Sequence, residues 1–93
     1  MKRIDWAAYR ADPDRFLVVD VRDPERFREG SLPGAVNVPL EAIAQKRYQL
    51  PKDRPLLLVC QLGQKSSLAA LYLEADGYQA YVLEGGLGNG NRM

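Results

Sequence analysis

Two stretches of this sequence are apolar at consecutive positions instead of alternate ones: Phe16-Leu17-Val18-Val19-Asp20-Val21 and Leu56-Leu57-Leu58-Val59. A strand with one face in water alternates apolar and polar residues. A run without alternation is a strand buried on both faces, as in parallel sheets. Ala80-Tyr81-Val82-Leu83 supplies a further strand, and Val36-Asn37-Val38 a short extended piece. Helical signals lie between them. Residues 5–11 predict a short helix stopped by Asp12-Pro13. A second helix starts with Asp23 as N-cap and Pro24 at its first position, and ends near Gly30. Residues 39–48 are helical in pattern, and residues 67–76 predict a helix with Leu68, Leu71, Tyr72 and Ala75 on its apolar face.

Strands alternating with helices on short loops predict an α/β fold. The expectation is one domain over residues 1–93, with a central, mostly parallel sheet of about five short strands and helices on both faces. With 46% apolar residues the chain can bury one core without disulfide or metal staples. The glycine- and asparagine-rich ending, residues 87–93, is expected to be a flexible tail with no clear final helix.

Thirteen basic residues against twelve acidic ones leave a formal charge of +1, so nothing points to nucleic acid or an anionic membrane as a partner. The opening MKRIDWAAYRADPDR is broken by charges and lacks the apolar core of a signal peptide. No window approaches the ~18 uninterrupted apolar residues of a membrane span. Together with a single cysteine, this predicts a soluble, cytoplasmic protein.

One cysteine and no histidine narrow the chemistry further. The common Cys/His zinc sites are excluded, and neither a metal nor a cofactor is expected. A Ser-His-Asp or Cys-His nucleophile is also excluded. Any nucleophile must be activated by its surroundings.

Cys60 sits at the carboxyl end of a buried strand, and Gln61-Leu62-Gly63-Gln64-Lys65-Ser66-Ser67 carries the chain from it to a helix start. Open α/β sheets bind ligands outside such strand ends. A helix start offers unpaired N–H groups and partial positive charge, and a curled loop aims further N–H groups inward. Gly63 permits the curl, Ser66 and Ser67 are candidate caps, and Lys65 adds a full charge. Such a setting favours thiolate over thiol. A lone cysteine is otherwise a small buried hydrophobe, and Lys65 a solvated charge; the strand-loop-helix context favours the chemical reading. Asp20 and Arg22, two apart on a strand, share a face. They either reach the rim of the site or tie the strand end to neighbouring loops, and the tie is the preferred reading.

Cys60-Gln61-Leu62-Gly63-Gln64-Lys65-Ser66 resembles the C-x-x-G-x-R-S stretch of the rhodanese-like domains. The resemblance extends upstream to Asp20-Val21-Arg22, Glu25-Arg26-Phe27 and Pro33-Gly34-Ala35-Val36-Asn37-Val38-Pro39-Leu40. Downstream it takes in Ala69-Ala70, Gly77 and Gly85-Gly86, so that it spans residues 4–86. It implies a sulfurtransferase in which Cys60 takes a sulfane sulfur from thiosulfate or a protein persulfide, becomes a persulfide, and passes the sulfur to a thiol, cyanide or a sulfur-carrier protein. By the same resemblance Gln61, Leu62, Gly63, Gln64, Lys65 and Ser66 form the anion-binding loop.

Three positions depart from the family pattern. Lys65 stands where arginine is usual, which replaces a two-pronged grip on an anion by a point charge. Ser31 stands where histidine is usual, and no tryptophan follows Gly85-Gly86. Two other functions share the fold. Phosphatases, like arsenate reductases less favoured here, need a loop one residue longer, which would place arginine where this chain has Ser66. A non-catalytic interaction or sulfur-carrier module is the main alternative, disfavoured by the intact cysteine loop.

Overall fold

The computed structural model describes residues 2–90. Five strands form one sheet: β1 (Lys2–Ile4), β2 (Leu17–Asp20), β3 (Val36–Asn37), β4 (Leu56–Val59) and β5 (Ala80–Leu83). Their order is β1-β5-β4-β2-β3 and every pairing is parallel. β4 lies at the centre, and all four of its residues are fully buried. Leu56 and Leu58 join Val19 and Val82 in the core on one face, whereas Leu57 and Val59 join Val18 and Leu83 on the other. Both faces are dry, which is why these runs do not alternate. β1 is not foreshadowed by the sequence. Lys2-Arg3-Ile4 pairs only with β5, and an edge strand buries too little to carry an apolar run.

The helices cover both faces. α1 (Trp6–Ala11) is capped by the Asp5 carboxylate, which accepts from the Ala8 amide at 2.8 Å, and it stops before a single 3-10 turn at Pro13–Arg15. α2 (Pro24–Arg28) follows Asp23, which holds the cap position without a side-chain bond. α3 (Leu40–Ala44) is half as long as the pattern suggests. Lys46 turns to a left-handed φ of 58°, and Tyr48 is drawn off the helix line by a 2.6 Å bond from its hydroxyl to Asp76.

α4 (Gln64–Ala75) corrects the expectation twice. It begins three residues earlier than Ser67, and its buried face is Ser66, Ala69, Ala70 and Leu73. Leu68, Leu71, Tyr72 and Ala75, expected inside, are exposed. Three of the four inward residues are small, and Leu73 is the one large side chain among the buried residues of α4.

The ending read as a tail without a helix contains α5 (Gly86–Gly90). Its first turn donates the amides of Leu87 and Gly88 to the carbonyls of Cys60 and Gln61 at 2.8 and 3.0 Å. Those carbonyls lie past the last strand bond, and α5 satisfies them. The remainder of the predicted tail, residues 91–93, lies outside the described residues. Among the described residues no helix is long and apolar enough to cross a membrane.

Candidate functional site

The chain leaves β2 toward β3 on one side of the sheet and leaves β4 toward β5 on the other. Between β2 and β4 the connections diverge, and an open sheet has its natural crevice there. The segments that follow these two strands meet in one open pocket of about 350 Å³. Arg22, Asp23 and Arg26 line it from the β2 side, and Cys60 with its loop from the β4 side.

Cys60 is buried, and its Sγ lies at the focus of the loop. The amides of Gly63 and Ser66 point at the sulfur from 3.1 and 3.4 Å, and the Ser66 hydroxyl lies 3.3 Å from it. Gly63, the N-cap of α4, has φ 101°, the left-handed region that L side chains rarely adopt. Its own amide reaches the sulfur from that conformation. A Cβ there would meet nothing nearer than 3.8 Å, so the backbone angle and not space selects glycine. The first turn of α4 holds no acidic residue to offset its positive end.

Ser66 and Ser67 lie inside α4, so the expectation that they cap it is corrected. Ser66 is fully buried against the sulfur, and Ser67 turns its hydroxyl back to the Gly63 carbonyl at 2.7 Å. Gln61, Leu62, Gln64 and Lys65 all line the pocket. Lys65 joins Arg22 and Arg26 there, giving three cations against the single carboxylate of Asp23. The sequence offers Asp23 as a helix cap and Arg26 as part of the family pattern, but neither as a site residue. The signal available was position: both follow the β2 end, at the sheet's divergence point.

Asp20 and Arg22 are bonded to each other and to the Gly30-Ser31 segment, and Arg22 also lines the pocket. The fully buried Asp20 carboxylate accepts from the Arg22 amide at 3.0 Å, from Nε at 3.0 and 3.2 Å, from Nη2 at 2.8 Å and from the Ser31 hydroxyl at 2.7 Å. Burial alone would raise its pKa, but the bonds from Arg22 and Ser31 outweigh burial and hold it below the ordinary carboxylate value. The bonds to Asp20 raise Arg22 in turn. Nη2 of Arg22 also donates to the Gly30 carbonyl at 2.7 Å, and Asn37 bridges the carbonyls of Asp20 and Arg22 at 2.9 Å each. Ser31 therefore buttresses the carboxylate from the position where histidine was expected.

Trp6, which the sequence offers only as a core or rim residue, donates its indole Nε1 to the Gly86 carbonyl at 3.2 Å. An aromatic wall thus reaches the Gly85-Gly86 turn from the other end of the chain. Among the described residues no group of three or more His, Cys, Asp or Glu could hold a metal ion.

The arrangement suits a sulfur anion held by main-chain amides beneath a cationic rim. Comparison with known proteins points to one family. A family model described as "Rhodanese-like domain" matches residues 4–91. A protein named "Sulfurtransferase" from Allochromatium vinosum is 35% identical over 78 residues, 83% of this chain and 73% of that protein. A "Thiosulfate sulfurtransferase GlpE" from Pseudomonas syringae pv. syringae is 37% identical over 71 residues, 75% of this chain and 67% of that one. Among solved structures, a rhodanese homolog from the extremely thermophilic bacterium Thermus thermophilus is 48% identical with a TM-score of 0.80, covering 92% of this chain and 97% of its own. A rhodanese-related protein from Thermoplasma volcanium superposes with a TM-score of 0.92 at 25% identity, over 99% of this chain and 92% of its own.

Proposed function

From the premise that the chain belongs to the rhodanese-like domain family, we propose that it is a sulfurtransferase working through a Cys60 persulfide, with thiosulfate or a protein persulfide as donor. The observation that carries this reading is the convergence of the Gly63 and Ser66 amides on Sγ at the base of a pocket rimmed by Arg22, Arg26 and Lys65. The two amides offer main-chain donors to the sulfur without any imidazole. The cations draw the oxygen-bearing end of an anionic donor. The thiolate attacks the outer sulfur of thiosulfate. A Sγ–S bond forms, the S–S bond of thiosulfate breaks, and its electron pair leaves with sulfite. An acceptor thiolate, cyanide or a sulfur-carrier protein then takes the outer sulfur, and the electron pair of the broken bond returns to Sγ.

Lys65 in place of arginine offers an ammonium point charge and no planar fork. Donor selection by shape is therefore looser than a guanidinium would impose. Phosphate hydrolysis is less well supported, because the position that would need arginine is Ser66, buried against the sulfur. A cysteine that cycles between thiolate and persulfide suits a reducing, cytoplasmic setting.

The test is the intact mass after incubation with thiosulfate. Gain of one sulfur atom, absent in Cys60→Ser, supports the reading. No adduct and no thiocyanate from cyanide would leave the interaction module as the better account.

A further inference from the structure

A second pocket, of about 370 Å³, abuts the first. The two share Arg22 and Gln61, which form a common wall. Cys60 lines only the first. On the far side the wall faces Trp6, Glu29, Ser31 and Leu87. The chemistry differs across the wall. The Cys60 pocket carries three cations and one carboxylate, which suits a small anion. The second carries one guanidinium and one carboxylate, among a hydroxyl, an indole and aliphatic groups.

Arg22 is placed to serve both sides. Nε and Nη2 are taken by Asp20 and Gly30, but Nη1 has no partner among the described residues. No buried side-chain nitrogen or oxygen lacks a hydrogen bond among the described residues, so Nη1 must be accessible. Glu29 is exposed and lines the same pocket; it pairs with Arg26 at 3.6 Å, and its charge also acts on Arg22. Such a pair contributes little and leaves the carboxylate available to a ligand.

Donor and acceptor bind in turn in such a double displacement; resting on the sulfurtransferase reading, we propose that the second pocket, with its guanidinium and its carboxylate, is the acceptor subsite and takes a small zwitterionic aminothiol. The acceptor's ammonium faces Glu29, its carboxylate faces Arg22, and its thiolate reaches across the shared wall. That thiolate attacks the outer sulfur of the Cys60 persulfide. The new S–S bond forms on the acceptor, the bond to Sγ breaks, and its electron pair restores the Cys60 thiolate. Donor and acceptor bodies then occupy separate pockets. Cyanide, with no body to place, has no use for the second one.

Trp6 is the only tryptophan of the chain and lines the second pocket, so its emission reports occupancy without turnover. The first arm titrates Cys60→Ser protein, which carries no sulfur, with S-methylcysteine. A saturable change in emission is expected, shifted by Glu29→Gln to about five-fold higher concentration, the size of an exposed ion pair. The second arm is steady-state transfer from thiosulfate. Glu29→Gln is expected to raise KM for cysteine about five-fold, with KM for cyanide and for thiosulfate not raised. An absent or non-saturable Trp6 response, a response that Glu29→Gln leaves unmoved, or an equal rise in KM for cysteine and cyanide overturns the proposal. Failure to form a persulfide would instead sink the sulfurtransferase reading, and the Trp6 titration would still decide whether the pocket binds the zwitterion.

Discussion

The indole of Trp6 and the carbonyl of Gly86 meet at 3.2 Å across eighty positions of sequence. The bond closes the far side of the site, because Gly86 also begins the helix whose amides hold the carbonyls of Cys60 and Gln61. Two segments from opposite ends of the chain therefore act together on the loop that carries the sulfur. Losing the bond in Trp6→Phe should cost about 1 kcal/mol. Urea unfolding at neutral pH measures it.

Gly86 should tolerate no side chain. It has φ 71°, and a Cβ there would lie 2.5 Å from the Gln61 carbonyl oxygen and 2.6 Å from that of Cys60. Gly34 has a similar φ of 73° with open space around it. Gly34→Ala should therefore cost about 1 kcal/mol, the left-handed backbone penalty alone. Gly86→Ala adds the clash, for roughly 2–5 kcal/mol in all, and should slow sulfur transfer as the loop is pushed aside. Equal losses for the two in thermal unfolding would refute the clash.

Ser66→Ala removes the hydroxyl 3.3 Å from Sγ and keeps the amide at 3.4 Å. The fold should persist, since that hydroxyl has no other partner among the described residues and alanine fills nearly the same volume. The rate of Cys60 alkylation by iodoacetamide at neutral pH should fall about ten-fold, as expected for one hydrogen bond to a charged group. An unchanged rate would mean that the hydroxyl donates elsewhere.

The Asp20 carboxylate should make stability acid-sensitive. Its pKa is lower in the folded protein than in the unfolded chain. Its contribution is therefore complete above the ordinary carboxylate value of about 4 and is lost as pH falls through the lower folded value. Asp20→Asn should flatten that part of the stability profile and, by leaving Arg22 buried without a counter-charge, cost about 3–5 kcal/mol. Asp20→Asn combined with Arg22→Gln should cost less than the sum of the single changes. Strict additivity in denaturant titrations would show that the pair does not act as one unit.

The phase of α4 can be checked on its own. Leu71 is half exposed and Leu73 fully buried, two positions apart on one helix. Leu71→Gln should change stability by no more than about 0.5 kcal/mol. Leu73→Ala should cost about 2–5 kcal/mol. The reverse ranking in urea titrations would restore the face expected from the leucine pattern.

That helix marks where the sequence stops being readable. Leucines lie on both sides of it, so periodicity offers no phase. Ala69, Ala70 and Leu73 face the sheet, packed with Leu56 and Leu58 of β4 and Ala80 and Val82 of β5, and that partner surface is not written in α4 itself. β1 was invisible for a related reason: an edge strand needs no apolar run, and only the partner β5 makes Lys2–Ile4 a strand. The loop was better marked. Cys60 at a strand end, Gly63 at a left-handed position and a helix start are neighbours in sequence, and their physics is local.

A doubly covered parallel sheet, and a sulfur placed at the mouth of a helix, were legible in the order of residues, because burial on both faces and a strand-to-helix turn are each written in consecutive positions. Folding in three dimensions was needed to bring Arg22 and Arg26 into one pocket with Cys60, to set Ser31 against Asp20, and to close the far side with Trp6 and α5. Those groups stand far apart along the chain, and their meeting depends on strand order, which short-range pattern does not encode.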